Sequence, residues 1–169
     1  SCTAKAKVLG KGRALILDIH GHGHPEDWIE LGFGVDVVEL AKPNAELKDA
    51  AWLRGSKSLG HFFTTQGLRA VPSPAIPHPA GKKYFNGGYI TRRHRDEGLR
   101  SIQLELPWSL RNTKNRQTSI TQLSVAIAEF FAVHFAIPAP DLDPQKFPSE
   151  GPLAVFDKDF DRFSSAFEI

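Results

Sequence analysis

Methionine is absent from the chain and cysteine occurs once, as Cys2. A lone cysteine closes no internal disulfide, so disulfide miniproteins and multi-cysteine zinc modules are excluded, and Cys2 is left as a link to another polypeptide. With no methionine in the chain, Ser1 is expected not to be an initiator and no apolar leader is expected before it. The expectation is a processed chain or a piece of a longer one, which allows a secreted or compartmental protein. Charge of one sign is lacking too: 21 Lys and Arg stand against 19 Asp and Glu, and a net charge of +2 without a basic run gives nucleic acid no footing. Uninterrupted apolar runs, such as residues 14–17 and 130–133, fall far short of the ~20 residues that cross a bilayer, so no membrane span is expected. Nothing matches G-x-S-x-G, a P-loop, a dinucleotide fingerprint or H-E-x-x-H, which leaves serine-hydrolase, nucleotide and thermolysin-type chemistry without a foothold.

What is present suffices for one core, with 41% hydrophobic residues in a chain of 169. Residues 13–19 form a short apolar run between glycines, which predicts a strand buried on both faces near the centre of a sheet. The glycine-punctuated polar segment 20–27 follows at once, at the carboxyl end of that strand, where open α/β sheets build their sites. Residues 28–35 alternate as a second, edge strand. Residues 46–66 carry helical spacing weakened by Gly55 and Gly60, which predicts one or two helices, and residues 68–71 predict a short strand. Pro72, Pro74, Pro77 and Pro79 then impose a stiff surface loop.

Residues 101–106 alternate strictly, placing Ile102, Leu104 and Leu106 on one face and Ser101, Gln103 and Glu105 on the other, until Pro107 stops the strand. The segment from Ser119 to Gln122 has the form of a capping box, opening a helix through Leu123, Ile127 and Phe130 that ends before Pro138. The division is therefore an α/β domain over residues 1–137 and an arm over 138–169, whose prolines and Phe147, Phe156, Phe160, Phe163 and Phe167 are expected to pack on a partner surface.

Three places carry candidate chemistry. His20, His22 and His24 alternate, so an extended backbone puts three imidazoles on one face, a donor set for zinc or copper; the intervening glycines let the chain turn, which would make His22 and His24 ordinary loop histidines. Glu105, a carboxylate in an apolar strand, is either ion-paired or poised as a general base. Asn86, Gly87 and Gly88 permit close approach of a ligand to the main chain or make a plain turn before a strand, and Tyr89, Arg92, Arg93 and Arg95 follow, with guanidinium groups able to grip a substrate carboxylate or to form a solvated, mutually paired face.

Leu17-Asp-Ile-His-Gly, Asn86-Gly-Gly-Tyr-Ile-Thr and Ile102-Gln-Leu-Glu, in this order, resemble the N-formylglutamate amidohydrolase family, over residues 13–107. The resemblance implies a zinc carboxypeptidase-like fold, a mixed sheet flanked by helices. It implies a zinc ligand in His20, a base in Glu105, and pocket-lining roles for Tyr89 and Arg92. The activity implied is zinc-dependent hydrolysis of an N-acyl amino acid or of a C-terminal peptide amide bond. Members of the family also carry an upstream P-H-S-G-type histidine and an acidic residue that complete the metal site. Neither has a counterpart in this chain, so the fold is expected to be incomplete without an N-terminal part, supplied by a second polypeptide linked through Cys2. His22 and His24 are the candidates within the chain for substitute ligands, against their reading as loop histidines. The rival expectation is a non-catalytic binding or structural protein that keeps this fold as one chain of a processed assembly.

Overall fold

The computed structural model describes residues 15–96 and 99–135. Cys2, the arm at 138–169 and the side chain of Arg95 lie outside that description. Four strands, β1 (Leu15–Gly21), β2 (Ile29–Gly32), β3 (Ala70–Val71) and β4 (Arg100–Leu106), form one mixed sheet in the order β1-β4-β2-β3. β1 runs parallel to β4, β2 antiparallel to β4, and β3 parallel to β2. The helices are α1 (Val37–Leu40), α2 (Ala50–Arg54), α3 (Leu59–Thr65), α4 (Tyr89–Asp96), α5 (Trp108–Arg111) and α6 (Arg116–Phe135). The α/β class with a mixed sheet is thus observed.

The alternation of β4 decides the layering. Ile102 and Leu104 face a core shared with Ile29 and Leu31 of β2, Leu59 and Phe63 of α3, and Ala126 and Phe130 of α6. Each such fully buried aliphatic or aromatic side chain contributes about 1.5–3 kcal/mol relative to exposure. The opposite face of β4 carries Ser101, Gln103 and Glu105, with α4 packed alongside. Ser58 caps α3 by accepting from the His61 amide. Arg54 joins the loops around α1 and α2: its three guanidinium nitrogens donate to Asn44 Oδ1, Leu40 O, Pro77 O and Lys42 O.

Several sequence expectations need correction. β1 is an edge strand among the described residues, half-buried with Ile19 exposed, whereas β2 is interior and wholly buried; apolar content alone does not separate the two positions. The strand expected after Asn86-Gly-Gly is the helix α4. The capping box at Ser119 is not the start of α6, which begins at Arg116; Ser119 is buried inside it, its amide donating to Asn115 O. Finally, α6 is long and apolar enough, by length and composition, to cross a membrane, which a count of uninterrupted runs misses because Gln122, Ser124 and Glu129 interrupt it. Here it packs on α3 through Phe130, as a core helix also does.

Candidate functional site

The carboxyl ends of β1 and β4 and the start of β2 meet at one corner of the sheet. Cross-strand partners share a face, so the register fixes which side chains gather there. His20 pairs with Glu105, and Glu105 pairs with Glu30, giving a row of imidazole and two carboxylates across three strands. Two residues back on the same face, Asp18 is paired with Gln103. Both rows are knitted along the strands: His20 Nε2 lies 2.9 Å from Asp18 Oδ1, and Gln103 Nε2 donates to Glu105 Oε1 at 2.6 Å.

Past β1 the chain turns inward. The His22 amide donates to Leu106 O, extending the β1–β4 ladder by one bond, and the His22 ring is buried. The His24 amide donates to His22 Nδ1 at 3.1 Å, which makes Nε2 the protonated nitrogen of His22, donating to Trp28 O at 2.8 Å. His24 Nδ1 meets Glu30 Oε1 at 2.7 Å, and its ring stacks on Phe85 at 4.7 Å between centroids. Glu30, with 0% of its surface exposed, also accepts from Trp28 Nε1 and from the Phe85 amide on Oε2. A buried carboxylate needs such donors, and Glu30 has three.

His22, His24 and Glu30 each present a ligand atom within 4.8 Å of the others. Two imidazoles with a carboxylate are chemistry found at catalytic zinc sites and suit a divalent ion; with Glu30 Oε1 held on His24 Nδ1, the ligand atoms offered are nitrogens of His22 and His24, and Glu30 stands behind His24. Among the described residues His24 Nε2 has no hydrogen-bond partner, and a carboxylate on the other ring nitrogen is the arrangement that orients a ligating imidazole. His22 would exchange one of its two hydrogen bonds for the ion. His20 is not part of this group; it stands half-exposed beside Asp18 on β1. The three-histidine face expected from sequence is thus replaced by His22, His24 and Glu30, because Gly21 and Gly23 let the chain leave the strand. Glu30 was missed: the alternation around it was legible, but nothing local marked its carboxylate as different from a solvent-facing one.

Glu105 is almost fully buried, and burial pushes its carboxyl above the usual carboxylate range; the Gln103 hydrogen bond, His20 and His22 pull it back down, while Glu30 pushes it up. Its Oε2 has no partner among the described residues and is not enclosed.

Asn86, Gly87 and Gly88 lie against the end of β2, where Asn86 O accepts from the Gly34 amide at 2.5 Å. A Cβ on Gly32 would sit 2.5 Å from Gly87 N, and Gly87 itself has φ +119°. Gly32→Ala is therefore expected to lift this loop off the sheet at a cost of about 1–3 kcal/mol, read as a lowered melting temperature. Next to the loop, Gln103 Oε1 and Thr91 Oγ1 are buried with no hydrogen-bond partner among the described residues. Tyr84 donates to Leu31 O at 2.5 Å, and burial, then Glu30, drive its phenol upward, so it remains a donor.

The arginines divide. Arg92 donates to Gly87 O at 2.7 Å and steadies the loop; Arg93 donates to the hydroxyl of the exposed Tyr89. Arg111 of α5, not singled out from sequence, lies over Gly21 and ties the ends of β1 and β4 together: it donates to Leu106 O at 3.1 Å and to His22 O at 2.9 Å, and it feels the Glu105 charge. A separate cavity of about 620 Å³, lined by Phe33, Asp36, Trp52, Leu99 and Arg100, opens at the other end of β4. No family model, curated protein or solved structure matches this chain.

Proposed function

We propose that this chain carries the site of a metal-dependent hydrolase acting on an N-acyl amino acid or a C-terminal peptide amide bond. The observation that carries the reading is the row His20–Glu105–Glu30 across β1, β4 and β2, set beside the His22, His24 and Glu30 group. The resemblance of the His20, Asn86-Gly-Gly and Glu105 segments to the N-formylglutamate amidohydrolase family, with zinc as its metal, points the same way.

A zinc ion bound there would polarise the scissile carbonyl and acidify a water. The chain's own residues supply the rest. Glu105 is the general base: its raised carboxyl holds a proton more firmly than an exposed glutamate does, so it takes one from water and passes it to the leaving amine. Gln103 fixes the Glu105 carboxylate by occupying Oε1, which leaves Oε2 for the proton. Glu30 orients His24, and Trp28 O orients His22.

The test is zinc titration of the full chain by calorimetry with elemental analysis. One zinc per chain is expected, with binding lost in His24→Ala and kept in Glu105→Gln. Protein that takes up no stoichiometric divalent metal would overturn the reading. One observation favours a second reading, a non-catalytic binding protein with this fold: both nitrogens of His22 and both oxygens of Glu30 are already engaged within the chain. That reading expects no metal and no turnover.

A further inference from the structure

Among the described residues β1 is an edge of the sheet, and it carries no proline, lysine or arginine. Native edges use such residues to stay unpaired, so an edge without them is open to a strand from another chain. One bond shows which backbone groups this edge offers. The His22 amide donates to Leu106 O on β4, and along a strand the amide and carbonyl of successive residues point to alternate sides. Residues 16, 18 and 20 therefore face β4, and Leu15, Leu17, Ile19 and Gly21 turn their amides and carbonyls outward.

The side chains along the edge differ between its two faces. Ile19 is 60% exposed although its partner on β4, Leu104, is 1% exposed, so the helices covering the middle of the sheet stop short of β1. On that face Gly21 lies under the Arg111 guanidinium, and the exposed ring of Trp108 is 5.5 Å from Arg111 Cζ. The other face carries Asp18 and His20, with 23% and 49% of their side chains exposed.

We propose that β1 pairs antiparallel with β1 of a second copy of this chain about a two-fold axis at Ile19, which sets Asp18 of each copy against His20 of the other. Hydrogen bonding and charge together select this register. Axes at Leu17, Asp18 and Ile19 all oppose outward-facing residues and keep residues 15–19, 15–21 and 17–21 paired. The axis at Asp18 puts two carboxylates in direct opposition, which is destabilising, and the axis at Leu17 leaves Asp18 opposite Ile16. The axis at Ile19 opposes Ile19 to Ile19 and Leu17 to Gly21 in hydrogen-bonded pairs. Asp18 and His20 then meet in the pairs between, where side chains approach most closely, and symmetry makes this contact twice. One face of the joined sheet covers Ile19 and brings Leu17 of the second copy to the side on which Trp108 is exposed. On the other face the row of Glu30, Glu105 and His20 gains a fourth member, Asp18 of the second copy. The pairing goes beyond the hydrolase reading and does not depend on it.

The experiment uses the full chain. Sedimentation equilibrium is expected to show a monomer–dimer equilibrium that dissociates on dilution, since a strand edge is smaller than the standard stable interface of about 1,600 Å². Ile19→Lys, at an exposed position, is expected to stay folded and to associate at least ten times more weakly. Asp18→His and His20→Asp each oppose like groups and weaken association; the two together in one chain restore it, because each histidine again meets an aspartate. Isotope-filtered NMR on an equal mixture of ¹³C-labelled and unlabelled chain reads the register without a mutation, as contact between the α-protons of Asp18 and His20 of different copies. The proposal is overturned by a monomer at every concentration up to the millimolar range, or by association that Ile19→Lys leaves intact. It is equally overturned by a doubly exchanged chain no tighter than the single variants, or by intermolecular contact between the two Asp18 α-protons. Zinc uptake and turnover are scored apart: their failure removes the hydrolase and leaves the pairing standing, and a monomer that binds zinc does the reverse.

Discussion

Glu105→Gln is expected to lower amide hydrolysis by about 10²–10⁴-fold, the range that general acid–base catalysis supplies, while leaving the protein folded and its metal affinity close to unchanged. Folding survives because the substituted amide can still offer Oε1 to Gln103 Nε2, so the bond between the two side chains persists. What disappears is the proton acceptor on the other atom. Activity measured on an N-acetylated amino acid checks this; a variant retaining more than about a tenth of the original rate would show that Glu105 is not the base.

The same substitution has a second, opposite effect on stability. For a carboxyl whose folded value is raised above its unfolded one, the native state holds the proton to higher pH than the unfolded chain does. Stability associated with Glu105 is therefore greatest in acid and is lost as pH rises from the unfolded carboxyl range, ~4.3, through the raised folded value. Glu105→Gln has no such proton to lose. Its melting temperature should change less than that of the parent protein across this window, and the variant should be the more stable of the two at neutral pH. A loss of rate coupled to a gain of stability is a combination that simple structural damage does not produce.

How much of this was legible beforehand differs by element. The strict alternation of residues 101–106 marks β4 to within one residue, since the strand begins at Arg100, and it marks the side on which Glu105 stands. The short strand at Ala70–Val71 and the two helices α2 and α3 also follow from local pattern. Strand order does not. β1 and β2 are both apolar, and only the long-range pairing with β4 puts the first at an edge and the second inside. The site divides in the same way. His20 and Glu105 were readable as candidates from their own segments, and the register then set them side by side. Glu30 and Arg111 were not, since one became exceptional through the Phe85 amide 55 residues away and the other through a carbonyl on His22, 89 residues away. Contacts at such separations leave no trace in a local window.

Glu30→Ala should be the most damaging single change to the fold, at about 3–5 kcal/mol, which for a chain of this size lowers the melting temperature by on the order of 10 °C. The carboxylate is completely buried, and its removal strands three donors at once: the Phe85 amide, Trp28 Nε1 and His24 Nδ1. Each unpaired buried donor costs about 1–3 kcal/mol before any cavity is counted. Glu30→Gln separates packing from hydrogen bonding. The amide oxygen can keep the Phe85 amide, but the NH₂ group then opposes both Trp28 Nε1–H and His24 Nδ1–H, and relief requires His24 to move its proton to Nε2. That tautomer has no lone pair left on the nitrogen facing away from Glu30, so zinc affinity should fall by about 10–100-fold while the melting temperature falls far less than in the alanine variant. If Glu30→Gln binds zinc as tightly as the parent chain, Glu30 is a packing residue with satisfied oxygens and the metal, where bound, is held by other groups.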